Sequence, residues 1–208
     1  LAVAAYTEAA AQLHRYPDGG CTALRGAIAE LHGLDADRIV CGAGSDELIG
    51  LLCRAYAGPG DEVLHTEHGF LMYPIAAKAA GASPVAAPET GLKANIGALI
   101  QRVTGATRLL FLANPNNPTG ALKEPERVRG LADEAGRAGG VLVSCEVYTE
   151  YLPPDARSHA FALAPNAISI GSLTKAYGLG PLRIGWLVLG EGLTDEMAHL
   201  IDMSYLTY

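Results

Sequence analysis

One glycine-rich loop indicates more about this chain than any other stretch, and it reads Ser172-Leu173-Thr174-Lys175-Ala176-Tyr177-Gly178-Leu179-Gly180-Pro181-Leu182-Arg183-Ile184-Gly185-Trp186. It follows a strand-like apolar run, Ala167 to Gly171, and leads into another. The Lys175 amine can form a Schiff base with an aldehyde. The Ser172 hydroxyl and the Arg183 guanidinium suit a phosphate. The loop therefore predicts a ligand that carries both groups, as pyridoxal phosphate does, although a lone lysine is usually just a solvated surface residue.

In the rest of the chain, glycine and proline separate helix-like segments from strand-like segments, and the two kinds alternate. Apolar spacing predicts helices at Leu24–Leu31, Asp46–Tyr56, Tyr73–Ala80, Ile96–Val103 and Glu124–Arg137, with a further helix closing the chain. Strands are predicted at Arg38–Cys41, Glu62–His65, Pro84–Ala86, Arg108–Leu112, Val141–Cys145, Ile168–Ile170 and Ile184–Leu189. This alternation predicts the α/β class, with a mostly parallel sheet sandwiched by helices.

Composition limits the kind of protein and its partners. The 208 residues suffice for one domain with a continuous core, and 50% of them are hydrophobic, which argues against disorder. The net charge of -7 argues against nucleic acid and anionic membranes as partners. No uncharged apolar run reaches the roughly 18 residues of a membrane helix. The four cysteines form no CxxC pair, so we expect free thiols in a cytoplasmic protein and no metal site.

Two further loops follow predicted strands and carry polar groups. Gly42-Ala43-Gly44-Ser45-Asp46-Glu47 joins a strand to a helix, where free backbone N–H groups can bind an anion. The alternative is that Ser45 only caps the helix. A dinucleotide fingerprint is disfavoured because Glu47 stands where its third glycine would be. Asn114-Pro115-Asn116-Asn117-Pro118-Thr119-Gly120 is either a stiff loop that aims an amide at a ligand or a plain turn.

Two more strand ends add candidate residues. Cys145-Glu146-Val147-Tyr148 follows one predicted strand, and His68-Gly69-Phe70 lies beyond another. An aromatic side chain at Phe70 could stack on a ring, although a lone phenylalanine is more often part of the core.

These segments, in this order, resemble the pyridoxal-phosphate aminotransferases of the aspartate aminotransferase-like fold, and among them the histidinol-phosphate aminotransferase group. The resemblance runs from Arg15-Tyr16-Pro17 to Gly185-Trp186, and its most specific parts are Asn-Pro-x-Asn-Pro-Thr-Gly and Ser-x-x-Lys with the following arginine. It implies the large cofactor-binding domain of that fold, incomplete at both ends. Residues 1–20 would be an N-terminal arm with a dimer contact, and the C-terminal small domain would be absent.

The resemblance also implies roles for individual residues. Lys175 is similar to the lysine that forms the Schiff base and later carries a proton. The phosphate ligands would be Ser172, Arg183, Gly44, Ser45 and Asp46.

The remaining implied roles concern the cofactor ring and the second subunit. Asn117 and Tyr148 resemble the residues that bond the ring hydroxyl oxygen, and Phe70 matches the stacking position. Tyr16 matches a tyrosine that reaches the phosphate of the neighbouring subunit, which implies a homodimer. The implied reaction is transamination between an amino acid, or a histidinol phosphate-like amine, and a 2-oxo acid.

Cys145 departs from the family pattern. This position normally carries an aspartate that keeps the pyridine nitrogen protonated, whereas a thiol has a reference pKa near 8.5 and carries little charge at neutral pH. Glu146 is a poor substitute, because adjacent strand residues point to opposite faces. Three interpretations remain open: a thiolate–pyridinium pair with reduced activity, a reaction that needs a weaker electron sink, and cofactor binding without turnover.

Other functions stay in competition with transamination. A pyridoxal-phosphate lyase, decarboxylase or cyclase would keep the fold and change the reaction. A non-catalytic cofactor-binding regulatory domain and a nucleotide-binding α/β protein are the remaining classes. The arginine that binds the substrate carboxylate in the family lies near the C-terminus and has no match in this sequence, so we expect the chain to be inactive alone.

Overall fold

The computed structural model describes residues 1–196, 199, 200 and 204. Its strands are β1 (Ile39–Gly42), β2 (Glu62–Thr66), β3 (Ser83–Ala87), β4 (Thr107–Ala113), β5 (Val141–Cys145), β6 (Ala167–Ser172) and β7 (Gly185–Leu189). Its α-helices are α1 (Ala2–Ala9), α2 (Thr22–His32), α3 (Ser45–Tyr56), α4 (Met72–Ala79), α5 (Ile96–Ile100), α6 (Pro125–Arg137) and α7 (Ala160–Leu163). Every predicted strand is present. The continuous run of described residues ends in a 3-10 helix, Glu191–Glu196. Of the predicted closing helix, only residues 199, 200 and 204 are described, and all three are helical.

The seven strands form one sheet in the order β1-β7-β6-β5-β4-β2-β3. Five neighbouring strands pair in parallel, in the order β6-β5-β4-β2-β3. In contrast, β7 is antiparallel to both of its neighbours, β6 and β1. The prediction of a mostly parallel sheet is therefore confirmed. Because parallel strands share one direction, the loops after β2, β4, β5 and β6 emerge at the same edge of the sheet.

Helices cover both faces of the sheet, as predicted. In β4, Phe111 packs with the buried side chains of α3 and α4, and its neighbour Leu110 packs with those of α5 and α6. All five residues of β5 are buried. This alternation explains why these strands read as continuous apolar runs, since each face of the strand has its own core.

One helix is shorter than its pattern predicts. The apolar spacing predicts a helix to Val103, but α5 ends at Ile100. Beyond it, Arg102 N–H donates to the Leu99 carbonyl at 3.0 Å and Val103 N–H donates to the Ile100 carbonyl at 3.1 Å. These bonds span three residues instead of four, so the chain tightens into a turn before β4.

Two glycines allow close packing where β6 and β7 meet the start of α3. Gly171 in β6 stands opposite Trp186 in β7, and a Cβ at Gly171 would overlap the indole ring. A Cβ at Gly185 would lie 2.8 Å from the backbone carbon of Gly44. The loop before α3 therefore lies directly on the start of β7, next to the end of β6.

Candidate active site

A cavity lies at the edge of the sheet where the parallel strands end. Its walls come from the ends of β4 and β5, from the segments that follow β2, β4, β5 and β6, and from the start of α3. The lining residues are Ser45, Asp46, Phe70, Tyr73, Ala113, Asn117, Cys145, Val147, Tyr148, Thr174, Lys175 and Arg183. Most of the residues singled out in the sequence are thus brought together in one place. Gly44, Ser172 and Tyr16 are not among them.

One end of the cavity suits an anion. Gly44 caps α3 in a conformation with φ of +93°, which favours glycine, and the free N–H groups of the first turn follow it. A Cβ at Gly44 would overlap the Arg183 guanidinium and lie 3.0 Å from Cζ. The Arg183 guanidinium therefore lies in close contact with the Gly44 backbone at the start of α3. A fixed cation and a helix N-terminus at one point together favour a negatively charged group.

The acidic residues of that first turn differ in placement. Asp46 lines the cavity. Glu47 turns back, and its carboxylate accepts a hydrogen bond from Ala43 N–H. Glu47 therefore stiffens the loop before the helix, and Asp46 is the carboxylate that faces the ligand space.

Ser172 lies behind the cavity wall. It is buried, and its hydroxyl is 2.8 Å from Thr174 Oγ1 and 3.2 Å from the Ile184 carbonyl oxygen. It also accepts a hydrogen bond from Thr174 N–H at 3.0 Å. Thr174 lines the cavity, although the sequence analysis did not single it out. The signal was a second hydroxyl just before Lys175 in the same loop.

Lys175 and Tyr148 face each other across the cavity. The Lys175 Nζ lies 5.7 Å from the centre of the Tyr148 ring. At that separation the ring attracts the ammonium form weakly. The amine and the phenol, from the loops after β6 and β5, thus come within reach of a common ligand.

The three asparagine side chains of the loop after β4 have different roles. Asn114 Oδ1 accepts from Lys123 N–H at 2.8 Å, and Asn116 Nδ2 donates to Thr119 Oγ1 at 2.8 Å. The Asn114–Pro115 and Asn117–Pro118 peptide bonds are both cis. Two asparagine side chains thus hold the loop, and the third, Asn117, lines the cavity.

The buried floor of the cavity carries no charge. Cys145 is 6% exposed, and burial raises the pKa of its thiol to about 11, so it is protonated at neutral pH. Beside it lies Tyr73, 1% exposed, whose pKa burial raises well above the usual value. The Tyr73 hydroxyl interacts with the neighbouring Cys145 thiol, but it makes no well-formed hydrogen bond to any group in the described part of the chain. An unsatisfied buried hydroxyl costs roughly 1–3 kcal/mol, so a ligand acceptor here would be favourable.

Tyr73 was not predicted as a site residue. It sits in an apolar helical pattern, and its ring stacks on Phe111 with the centres 4.6 Å apart. Phe70 packs edge-on against it at 5.9 Å and also borders the cavity. In the sequence a tyrosine at such a position cannot be told from a core residue.

Glu146 points to the opposite face, as the alternation of strand residues predicts. Its Oε1 accepts from Ser169 Oγ and from Ala160 N–H, both at 2.8 Å, and its Oε2 lies 2.6 Å from His159 Nδ1. The carboxylate is therefore fully used in a buried network and does not line the cavity. It does not replace the aspartate missing at Cys145.

Tyr16 lies outside the cavity in a fully exposed N-terminal segment. Its exposed fraction is 100%, and α1 contains no buried residue. Exposed apolar side chains in the same segment are Leu1, Val3, Tyr6 and Leu13.

Three further properties of the described part of the chain concern membrane-spanning helices, metal-binding groups and cysteines. None of its helices has the length and apolarity to cross a membrane. Within the same residues, no three His, Cys, Asp or Glu side chains are grouped so as to hold a metal ion. All four cysteines are free thiols.

A family model described as aminotransferase class I and II matches residues 2–207. Histidinol-phosphate aminotransferases from Paramagnetospirillum magneticum and Dinoroseobacter shibae are 52% and 50% identical over 90% and 97% of the chain. The chain spans about half the length of these relatives, 52% and 54%.

Solved structures of aminotransferases have the same fold as this chain. Histidinol-phosphate aminotransferase from Sinorhizobium meliloti, in complex with pyridoxal-5'-phosphate, matches with a TM-score of 0.85 and 26% identity, over 99% of this chain and 60% of that one. Alanine aminotransferase from Pyrococcus furiosus matches with a TM-score of 0.87 and 25% identity, over 98% of this chain and 56% of that one.

Proposed function

Because the chain belongs to the aminotransferase class I and II family, we propose that it is the large cofactor-binding domain of a pyridoxal-phosphate-dependent aminotransferase. The reaction would move an amino group between an amino acid, or a histidinol phosphate-like amine, and a 2-oxo acid. One observation carries this proposal: the Lys175 amine, the Arg183 guanidinium and the start of α3 border a single cavity.

The residues present suit pyridoxal phosphate at each of its functional groups. Arg183 and the N–H groups after Gly44 would hold the phosphate, with Thr174 at the same wall and Ser172 supporting it. Asn117 and Tyr148 would donate to the ring hydroxyl oxygen, and Phe70 would contact the ring. The unsatisfied Tyr73 hydroxyl supports this fit, since a polar heterocycle would give it a partner.

When bound, pyridoxal phosphate supplies an electron sink for the bond that breaks at the substrate α-carbon. Lys175 would hold the cofactor through its amine, and when that amine is free it can accept a proton and return it, so Lys175 would move the proton at the substrate α-carbon. The Tyr148 ring, whose centre lies 5.7 Å from Lys175 Nζ, would help to orient the ammonium form.

A second candidate function is cofactor binding with slow or no turnover. The uncharged Cys145 thiol favours it, because a neutral partner does not stabilise a protonated pyridine ring. A lyase, decarboxylase or cyclase has no comparable observation in its favour.

We also propose a cytoplasmic homodimer in which Tyr16 reaches the phosphate site of the neighbouring subunit. The exposed segment around α1 supports this, because its apolar side chains are not covered by any other part of the chain that the structure describes. Sedimentation of the full-length protein would give its mass, and a monomer would refute the dimer. A Tyr16→Phe variant should bind the cofactor more weakly.

The function is tested by the absorbance of the full-length protein with pyridoxal phosphate. We expect a visible band that borohydride reduction removes and that Lys175→Ala lacks. Lys78→Ala, which removes an exposed lysine of α4, is the matched control and should keep the band. A band that survives in Lys175→Ala would refute the assignment. Amino transfer from histidinol phosphate to a 2-oxo acid then separates an aminotransferase from a protein that only binds the cofactor.

A further inference from the structure

The charged groups and the uncharged groups of the cavity are separated by depth. Lys175 and Arg183 are exposed at the mouth, whereas Cys145 and Tyr73 are buried at the floor. The floor residues can donate hydrogen bonds without being ions, since Cys145 carries a thiol and Tyr73 carries a hydroxyl that contacts this thiol without a well-formed hydrogen bond among the described residues.

The structure of pyridoxal phosphate links the lysine at the mouth to the uncharged residues at the floor. In pyridoxal phosphate the aldehyde carbon is attached to the ring position opposite the nitrogen. A lysine at the mouth that holds the aldehyde carbon therefore directs the ring nitrogen toward the floor. The nitrogen would then face the buried Tyr73 hydroxyl, which makes no well-formed hydrogen bond among the described residues.

We propose, on the basis of the function proposed above, that Tyr73 and Cys145 form an uncharged donor pair that binds the ring nitrogen in its unprotonated form, with the Tyr73 hydroxyl donating to the single lone pair of the nitrogen and the Cys145 thiol beside it. Tyr73 is then a specificity-determining residue of the cofactor site. The pair replaces a carboxylate with neutral donors, so the ring is bound as a base and not as a cation.

Electrostatics around the floor support the neutral form. A buried pyridinium needs a nearby negative charge to offset its desolvation. Glu146 is committed to His159 and Ser169 on the other face of the sheet. Tyr148 faces the cavity from the loop after β5, and Lys175 and Arg183 add positive charge. Asp46, from the start of α3, is the carboxylate of the lining, and its charge adds to the effect of burial in raising the pKa of the Cys145 thiol.

The test is nitrogen-15 NMR of ring-labelled pyridoxal phosphate bound to the full-length protein, calibrated with the free cofactor in acid and in base. We expect the wild-type protein and Cys145→Ser to show the unprotonated shift. Cys145→Asp should move the resonance to the protonated position. Asp46→Asn should leave the shift unchanged, and a change there would show that Asp46 supplies the charge and would overturn the proposal.

A second measurement isolates Tyr73. The wild-type protein should bind pyridoxal phosphate roughly two- to tenfold more tightly than the analogue whose ring nitrogen is replaced by C–H, which is the effect of one neutral hydrogen bond. Tyr73→Phe keeps the stack on Phe111 and should shrink that ratio. An unchanged ratio overturns the role of Tyr73.

The two proposals fail in different ways. A protein that takes up no cofactor contradicts the proposed function. A protein that binds the cofactor with a protonated ring nitrogen overturns only the donor pair.

Discussion

The Arg183 guanidinium lies on the backbone of Gly44, so close that a Cβ at Gly44 would overlap it. Arg183 itself adopts a left-handed conformation with φ of +52°, which turns its side chain back toward the start of α3. The helix N-terminus and the arginine thus form a single anion site, although they come from loops far apart in sequence.

Gly44→Ala should therefore lower cofactor affinity by roughly tenfold or more, because it displaces a charged phosphate donor. Gly60→Ala is the matched control. Gly60 has nearly the same backbone angle, φ of +95° against +93°, and nothing lies within 4 Å of its added Cβ. Both variants should lose about 1 kcal/mol of folding free energy from backbone strain. Titration with the cofactor checks this, and equal affinity in the two variants would contradict the shared anion site.

Cys145→Asp should raise the rate of amino transfer in the full-length protein by roughly 10- to 100-fold, since a fixed charge then stabilises the protonated ring. Cys145→Ser is uncharged and should stay near the wild-type rate. Steady-state kinetics with an amine and a 2-oxo acid measures this. If the aspartate variant is no faster than the wild type, the missing carboxylate does not limit turnover.

The pair of Glu146 and His159 should make stability depend on pH. Burial opposes the charged form of His159, but the hydrogen bond and charge of Glu146 outweigh it and raise the pKa of His159 above its usual 6.5. A raised folded-state pKa gives stability that is fully present below pH 6.5 and is lost as pH rises through the folded-state value. His32, stacked edge-on against His159 at 5.0 Å, acts in the opposite sense, because burial lowers its pKa.

Glu146→Gln should abolish the fall in stability above pH 6.5 and cost roughly 1–3 kcal/mol at pH 6. Glu134→Gln, which removes an exposed ion pair with Arg137, should change stability by less than about 0.5 kcal/mol. Urea unfolding at several pH values measures both. A persistent pH slope in Glu146→Gln would assign the titration to another group.

Gly171→Ala should destabilise the protein by roughly 1–3 kcal/mol, because its Cβ would overlap the Trp186 ring between β6 and β7. Gly26→Ala, on the exposed face of α2 with nothing within 4 Å of the added Cβ, should instead stabilise by about 0.5–1 kcal/mol. Thermal unfolding of the two variants compares them. A neutral Gly171→Ala would mean that the indole moves freely.

The sequence predicts the strands well because each is a short apolar run bounded by turn residues. It also predicts the gathering of Lys175, Asn117 and Tyr148, since the ends of parallel strands meet at one edge of a sheet. The direction of β7 is not visible in its apolar pattern. The connection between β6 and β7 contains a 3-10 helix but no α-helix of the kind that usually carries a parallel crossover, and β7 returns antiparallel to β6.

Of the two residues at the floor of the cavity, Cys145 was predicted from the sequence and Tyr73 was not. The pattern around Tyr73 predicts a core residue, and its ring does stack on Phe111 in the core, although the residue also lines the cavity. The opposite holds for Ser172, which the sequence predicts to face the ligand. In the structure it lies behind Thr174 and is hydrogen-bonded to it. Neither side-chain direction follows from residue type or spacing.

The antiparallel return of β7 makes the segment from Lys175 to Arg183 a module anchored at both ends to adjacent strands. Residues gained or lost within it would change the separation of amine and guanidinium while the order of the sheet stays the same. Ligand length can therefore vary among proteins of this architecture through one surface segment, without rebuilding the core beneath it.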